Sequence, residues 1–370
     1  MKKILVTGSK GFIGKNLLAH LHDNTLAEII SFENHQDESQ LRALVQQAEL
    51  IIHLAASNRP KNSADFARIN VGLTRLLCSA IEDSKRAIPI IFTSSTQASL
   101  PNPYGESKLV AEQVLQQFSS THNNSLAIYR LPGVFGKWCK PNYNSVVATF
   151  CHNIAHDLPI QIHEPNKEID LVHIDDVIRS ILENIKNPFQ GIIAPIINPT
   201  YQITLGKLAA IISDFNIQRA QGKVDCVGTG FLRALYSTFI SYLPPEKFTN
   251  IISGSSDRRG IFVEFLKTPN CGQISYFTAL PGITRGEHYH HTKTEKFLVA
   301  KGRARFQFRN LITNEICEIY TSCSHPEIVD SIPGWAHNIT NIDDSELIVI
   351  VWANEIYNHQ LPDTIPAKYL

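Results

Sequence analysis

Tyr104 and Lys108 stand four residues apart in the run Asn102-Pro103-Tyr104-Gly105-Glu106-Ser107-Lys108. On a helix that spacing puts both side chains on one face. A free phenol has a pKa of about 10, too high for ready proton exchange at neutral pH. A neighbouring ammonium favours the phenolate and is expected to lower that value. Such a tyrosine can protonate a carbonyl oxygen as hydride reaches the carbon, or take the proton back in reverse. Ser94, Ser95 and Thr96 lie shortly before it, where a hydroxyl can hold the substrate oxygen beside the phenol. The spacing favours Ser95, with Thr96 next.

A hydride chemistry needs a dinucleotide, and Gly8-Ser9-Lys10-Gly11-Phe12-Ile13-Gly14 supplies a cradle for one. Gly8 permits a tight turn, Gly11 lets the backbone approach a pyrophosphate, and Gly14 allows close helix packing. The following helix start offers amide donors and positive potential. Glu33, at the end of the second apolar run, can accept from an adenosine ribose, which favours NAD. Lys10 and His35 are suited to face a 2′-phosphate instead, so these residues leave NAD and NADP both open.

The densest group of potential ligands is in the last third. His288 and His290 are two apart, on one side of a strand. Glu295 opens the next alternating run, and His337 follows Pro333-Gly334-Trp335-Ala336, ahead of a further strand. Three imidazoles and a carboxylate can hold Zn²⁺ or another borderline divalent ion.

The elements that must position these groups follow from periodicity. Apolar runs at Ile4–Thr7, Glu28–Phe32, Leu50–Ala55, Ile88–Thr93 and Leu126–Arg130 alternate with helical patterns at Gly11–Leu21, Gln40–Gln47, Ala64–Asp83 and Tyr104–Phe118. Strands separated by helices predict a parallel sheet covered on both faces. Helical patterns near 142–155, 177–187, 205–215 and 231–241, with one short strand at Leu171–Ile174, predict a smaller, mostly helical lobe. After Pro244-Pro245 the period becomes two, with Gly and Pro turns, and predicts a double-sheet barrel of the jelly-roll type. The expected division is therefore 1–243 and 244–370.

The 370 residues exceed one ordinary core. Hydrophobic residues make up 43%, and 34 Lys and Arg balance 34 Asp and Glu. No basic excess points to nucleic acid or an anionic membrane. The absence of a signal-peptide pattern or a long apolar run, with seven cysteines lacking CxxC spacing, predicts a reducing, cytoplasmic setting.

The first part resembles the extended short-chain dehydrogenase/reductase family. Besides the Tyr-x-x-x-Lys pair and upstream Ser95, His53-Leu54-Ala55-Ala56 resembles the motif flanking its cofactor, and Asn70 its helix-anchoring asparagine. Tyr129 to Gly136 looks like its substrate loop, and Val172 to Val177 like the motif pinning the substrate lobe. The resemblance implies a Rossmann-type fold acting on sugar nucleotides. Only nine positions separate Ser95 from Tyr104, fewer than in most members. The loop Lys137-Trp138-Cys139-Lys140-Pro141-Asn142-Tyr143-Asn144 combines cations, amides and aromatics suited to a diphosphate and a base or sugar.

The last part resembles the cupin family. Its first metal motif maps onto Gly282, His288, His290, Glu295 and Gly302, and its second onto Gly334, His337 and Asn341. Arg259, Glu264, Arg285 and His288 also resemble the cupin branch that epimerises 4-keto-6-deoxy sugar nucleotides. There arginines bind phosphate, an acidic residue orients the sugar, and the first histidine acts as base, usually without metal. A metal-bound histidine cannot accept a proton through its ligating nitrogen, so the base is left open.

The whole order is similar to the bifunctional capsular-polysaccharide enzymes. These epimerise C3 of a UDP-2-acetamido-2,6-dideoxy-4-hexulose in the cupin and then reduce C4 in the dehydrogenase module. The similarity implies NADPH, a UDP-linked 4-keto-6-deoxy amino sugar and a homodimer. Two rival readings are an NAD-retaining UDP-sugar 4-epimerase or dehydratase with a structural cupin, and a nucleotide-sensing scaffold without turnover. Ser95-Thr96-Gln97 supplies no acid for a dehydratase, and Tyr104 with Lys108 opposes the scaffold.

Overall fold

The structure, a computed structural model, describes residues 2–24, 27–33, 35–60, 62 and 64–369. It divides into two compact units, residues 1–212 with 234–243, and residues 213–233 with 244–370.

The first unit is built on a six-stranded sheet of order β2-β1-β3-β4-β5-β8. Its strands are β1 (Lys2–Thr7), β2 (Ala27–Phe32), β3 (Leu50–His53), β4 (Ile90–Ser95), β5 (Leu126–Leu131) and β8 (Ile192–Ile193). Every pairing is parallel. Alternate side chains enter opposite faces. Leu5, Ile51, Ile90, Phe92 and Ile128 pack with residues of α2 (Glu38–Gln47), α4 (Gly72–Ser84) and α5 (Pro103–His122). Ile4, Val6, Ile52, Ile91 and Tyr129 pack with α1 (Phe12–Asn24) and α7 (Ile174–Lys186). Both faces are dry, which is why the central strands read as continuous apolar runs. Tyr129 is fully buried, and its hydroxyl donates to the Ser180 carbonyl at 3.0 Å while accepting from Asn184 at 2.5 Å.

The predicted long helix is interrupted. After α3 (Ala64–Phe66), residues Ala67–Val71 form a π-helical turn before α4. The lobe expected to be mostly helical also carries a sheet, β6 (Gly133–Phe135), β7 (Glu168–His173) and β9 (Tyr201–Thr204), in the order β6-β7-β9. β6 and β9, of three and four residues, are too short to display alternation, while β7 includes most of the strand expected at Leu171–Ile174. The same stretch of chain carries α6 (Val146–Ala155), α8 (Leu205–Ala220) and α9 (Gly230–Ile240).

The second unit holds two antiparallel sheets of order β10-β11-β12-β19-β14-β17 and β16-β15-β18-β13-β20. The strands are β10 (Gly254–Asp257), β11 (Gly260–Thr268), β12 (Gly272–Ala279), β13 (Thr284–Tyr289), β14 (Glu295–Lys301), β15 (Arg303–Asn310), β16 (Ile316–Ser322), β17 (Ile328–Asp330), β18 (Trp335–Asn341), β19 (Leu347–Ala353) and β20 (Ile365–Pro366). Phe277, Phe297 and Val349 from one sheet and Phe306, Phe308 and Ile339 from the other share one core. Residues 213–233 belong to this unit: the Lys267 amide donates to the Gly222 carbonyl and the Val224 amide to the Lys267 carbonyl, both at 2.9 Å.

Candidate functional site

The glycine loop between β1 and α1 is set by close backbone approach. Gly8 has φ +75°, and a Cβ there would lie 2.8 Å from the Ala55 backbone. One on Gly14 would lie 2.4 Å from the Gly8 and Ser9 carbonyl oxygens. At Gly11 the only near atom would be the Gly8 carbonyl oxygen, at 3.1 Å, which leaves that flank open. Phe12 and Ile13 start α1, whose free amides complete an anion cradle. These features fit a dinucleotide pyrophosphate. The Glu33 carboxylate accepts from the Ser9 hydroxyl, while Lys10 and His35 are exposed on either side.

A second group, read in the sequence only as a motif, ties this loop to the π-turn. The Ala55 amide donates to the Thr7 hydroxyl oxygen at 3.2 Å. Thr7 Oγ1 lies 2.7 Å from His53 Nδ1, and His53 Nε2 lies 3.1 Å from Thr74 Oγ1. The Thr74 hydroxyl donates to the Asn70 carbonyl at 2.7 Å. Thr74 therefore accepts from His53, which fixes a neutral imidazole carrying its proton on Nε2. Burial together with the Lys108 cation lowers the His53 pKa to about 3. From the π-turn, Asn70 donates to the Ser107 hydroxyl at 3.0 Å and accepts from the Ser57 amide at 2.7 Å. Ser107 donates to the Tyr104 carbonyl at 2.7 Å. Leu54 and Ala56 flank Ala55 in the half-buried loop that leaves β3.

Tyr104 and Lys108 lie in the first two turns of α5. Asn102 caps this helix by accepting from the Gly105 amide at 2.9 Å, and Pro103 occupies its first turn, where no amide is needed. Ser94 and Ser95, expected just beyond β4, are its last two residues, and Thr96–Ser99 forms a 3₁₀ turn. A Cβ on Gly105 would lie 2.1 Å from the Gln97 carbonyl oxygen, so the helix start rests directly on that turn. This close seat sets the start of α5 against the turn that directly follows Ser95, despite the short spacer. The buried Ser94 hydroxyl has no hydrogen-bond partner among the described residues. Thr96 is exposed and lines a cleft of about 520 Å³ with Arg130, Leu131 and Ile197.

One electrostatic expectation is reversed. The Tyr104 pKa is raised above its ordinary value: burial pushes it up, and the Ser95 hydrogen bond draws it back only in part. The reason is the aim of Lys108. Its ammonium, 3% exposed, donates to the Thr93 carbonyl at 2.6 Å and sits 4.5 Å from the Phe92 ring centre. Burial lowers the Lys108 pKa to about 8, against the pull of the Glu112 carboxylate.

Lys137 does not reach out freely from the substrate loop. Its ammonium pairs with Asp175 at 2.8 Å, and its carbonyl accepts from Asn16 at 3.2 Å. Trp138, 51% exposed, has φ +67°. Lys140 lies 5.1 Å from the centre of the exposed Tyr143 ring, and Arg59 donates to the Tyr143 carbonyl at 2.6 Å. Asn142 and Asn144 are exposed. Arg179, on α7, pairs with Asp176 at 2.8 Å.

In the second unit His288, His290, Glu295 and His337 converge, with one ligand atom of each lying within 4.8 Å of the others. The route differs in detail from simple alternation. β13 bulges after Gly286, Glu287 takes φ +61°, and the strand ends at Tyr289, just before His290. His337 lies within β18, directly across from His288, rather than ahead of the strand. His290 Nε2 is 3.2 Å and His337 Nε2 3.7 Å from Glu295 Oε2. His290 Nδ1 lies 2.5 Å from the Asp363 carbonyl oxygen, which turns Nε2 toward the cluster. The buried Nε2 atoms of His288 and His337 have no hydrogen-bond partner among the described residues. Burial and the neighbouring His337 lower the His288 pKa to about 4. Imidazole nitrogens without partners at His288 and His337, beside the Glu295 carboxylate, fit a divalent ion. His291, by contrast, is exposed.

Of the residues expected beside a sugar phosphate, Arg285 keeps its side chain largely buried; Nε and Nη2 have no hydrogen-bond partner among the described residues, and Nη2 lies 4.0 Å from the Asp257 carboxylate. Arg259 is spent on Asp257, which it grips at 2.7 to 3.3 Å. Glu264 pairs with Lys267 at 2.6 Å and accepts from Gln273 at 3.1 Å.

Comparison with known proteins agrees with this architecture. The NAD dependent epimerase/dehydratase family matches residues 4–198, and the polysaccharide biosynthesis C-terminal domain matches residues 255–365. A UDP-2-acetamido-2,6-beta-L-arabino-hexul-4-ose reductase of Pseudomonas aeruginosa is 47% identical, covering 98% of this chain and 97% of that one. The crystal structure of the capsular polysaccharide assembling protein CapF from Staphylococcus aureus superposes with a TM-score of 0.92 at 39% identity, covering 99% of both chains. A UDP-glucose 4-epimerase from Thermotoga maritima, 19% identical with a TM-score of 0.56 over 65% of this chain and 98% of that one, shares the fold of the first part. A parallel sheet with a glycine loop, followed by an all-β unit and matched end to end by these relatives, places the chain in the NAD dependent epimerase/dehydratase family, together with the polysaccharide biosynthesis C-terminal domain.

Proposed function

We propose that the chain is a bifunctional nucleotide-sugar enzyme. Its C-terminal part, residues 244–370, folds as a cupin and inverts C3 of a UDP-2-acetamido-2,6-dideoxy-4-hexulose. Its N-terminal part, residues 1–243, then reduces the C4 ketone, giving UDP-2-acetamido-2,6-dideoxy-L-talose. The observation that carries the reductase reading is the seat of α5: Gly105 rests on the 3₁₀ turn that follows Ser95 at the carboxyl end of β4, with Tyr104 and Lys108 four apart on that helix. Ligands of open parallel sheets bind at that end of the strands.

NADPH, bound over Gly8, Gly11 and Gly14, supplies the hydride. Ser9 draws the Glu33 carboxylate toward the glycine loop, which leaves exposed Lys10 and His35 to meet a 2′-phosphate. Ser95 holds the C4 oxygen, and Tyr104 gives it a proton as the carbon is reduced. Lys108 holds the nicotinamide ribose from the same face of α5. Lys137, Trp138, Lys140 and Tyr143 flank the nucleotide diphosphate. Turnover by a homodimer in the cytoplasm completes the reading.

In the second site the ketone at C4 acidifies C3–H. Removing that proton gives an enediolate, and its return on the other face inverts the centre. A divalent ion held by His288, His290, Glu295 and His337 supplies positive charge for the developing oxyanion. The buried Arg285 guanidinium, with donors to spare, binds substrate phosphate.

Incubation with the 4-keto UDP-sugar and NADPH in deuterated water tests both steps. NMR of the product should show deuterium at C3 and a new hydrogen-bearing centre at C4. NADPH consumption without deuterium at C3 would reduce the second unit to a structural part. NADH serving equally well would overturn the cofactor assignment.

A further inference from the structure

The four-residue cluster is braced by a segment that supplies none of its members. The Asp363 carboxylate accepts from the backbone amides of His291 at 2.8 Å, Thr292 at 2.7 Å and Lys293 at 2.8 Å, and from the Thr292 hydroxyl at 3.0 Å. Its carbonyl oxygen meets His290 Nδ1. Directly after it, β20 pairs with β13, setting His288 opposite Pro366 and Tyr289 opposite Ile365. The Ala367 amide donates to the Glu287 carbonyl at 2.9 Å. Residues 363–367 therefore touch the strand that carries His288, the ring of His290 and the turn that carries Lys293.

Three successive amides aimed at one point form an anion nest, and a turn of that shape keeps it only while an anion fills it. The effect reaches the cluster by two contacts. Fixing His290 Nδ1 turns Nε2 inward. Fixing the turn holds the buried Lys293 ammonium 2.7 Å from Glu295 Oε1, which leaves Oε2 to face His290 and His337. One carboxylate oxygen is thus committed to an ammonium and the other is free for an ion.

We propose that Asp363 is the positioning residue of this centre, so that metal loading and docking of the C-terminal segment are coupled. The inference rests on the metal reading above. Coupling is reciprocal: whatever loosens the segment weakens metal binding, and metal in turn tightens the segment.

The test uses the full chain stripped of metal by chelation. Wild type, Asp363→Ala, Asp363→Asn and His337→Ala are titrated with Co²⁺, whose visible absorption reports the ligand geometry. Each is also digested with and without Zn²⁺, following cleavage within residues 354–369. Removal of such an outer partner weakens metal affinity by about 10- to 100-fold, and that loss is expected for Asp363→Ala, with an altered Co²⁺ spectrum. Asp363→Asn keeps an oxygen acceptor for the amides and should recover part of both. Zn²⁺ should slow cleavage of the segment in wild type and not in Asp363→Ala. Loss of Co²⁺ in His337→Ala but unchanged affinity and spectrum in Asp363→Ala would overturn this proposal alone. A wild-type chain that takes up no Co²⁺ would overturn the metal reading and this proposal with it. If Asp363→Ala does not fold, Asp363→Asn carries the comparison, and equality with wild type there counts against the proposal.

Discussion

The Lys108 ammonium donates to the Thr93 carbonyl at 2.6 Å and lies over Phe92, so the cation is aimed at the end of β4 rather than at the phenol one helical turn before it. Ser95 lies two residues further along that strand, and burial raises the Tyr104 pKa, with Ser95 drawing it back only in part. The phenol is therefore kept protonated, as a donor to a ketone must be.

Replacing Tyr104 by Phe removes that proton and little else. The rate of C4 reduction should fall by about 10²- to 10⁴-fold. NADPH binding, followed by its fluorescence, should change less than about threefold. Reduction at the wild-type rate would remove Tyr104 from the chemistry.

Gly105→Ala tests the seat of the helix. The added Cβ would collide with the Gln97 carbonyl, 2.1 Å away, and α5 must shift off the 3₁₀ turn. Separation of Tyr104 from Ser95 should lower kcat by more than about tenfold, since misplacement by 1 Å can cost about 100-fold. Unchanged kcat would show that the turn yields without moving the phenol.

His53 links stability to pH. Its pKa is lowered from 6.5 to about 3 in the folded chain, by burial and then by the Lys108 cation. Between those values the unfolded chain binds the extra proton. The stabilisation is complete above pH 6.5 and is lost at about 1.4 kcal/mol per pH unit as pH falls toward 3. The groups facing the ring are neutral Thr7, Thr74 and Phe92, with Lys108 the nearby charge. His53→Asn should be less stable at pH 7 by about 1–3 kcal/mol, through threonines left short of a partner. Urea unfolding should show a shallower acid slope for it, and an identical slope would refute the assignment.

Metal content separates the second site from a histidine-lined pocket. About one divalent ion per chain is expected by elemental analysis, and almost none in His337→Ala. Equal metal in the two proteins would remove His337 from the ligand set.

Much of this was legible in the residues. Gly8, Gly11 and Gly14 announce a turn because backbone proximity admits no side chain, and that need is local. Asn102-Pro103 announces a helix start for an equally local reason, and with it the shared face of Tyr104 and Lys108. His288, His290, Glu295 and His337 were legible as a set by residue type. Less legible were the short strands of the lobe, the π-turn at Ala67–Val71 and the bulge after Gly286, because each is set by neighbours in space.

The sequence by itself determined which groups are available: a phenol and an ammonium on one helix face, a glycine cradle, and three imidazoles with a carboxylate. Only the tertiary structure decided what each group meets. It sent Lys108 to a carbonyl, buried Tyr104 until its pKa rose, joined Thr7 to Thr74 through His53, and brought Asp363 back to brace His290. Spacing along a chain fixes direction within one element, whereas pKa and hydrogen-bond partner depend on burial and on atoms 46 or 73 residues away.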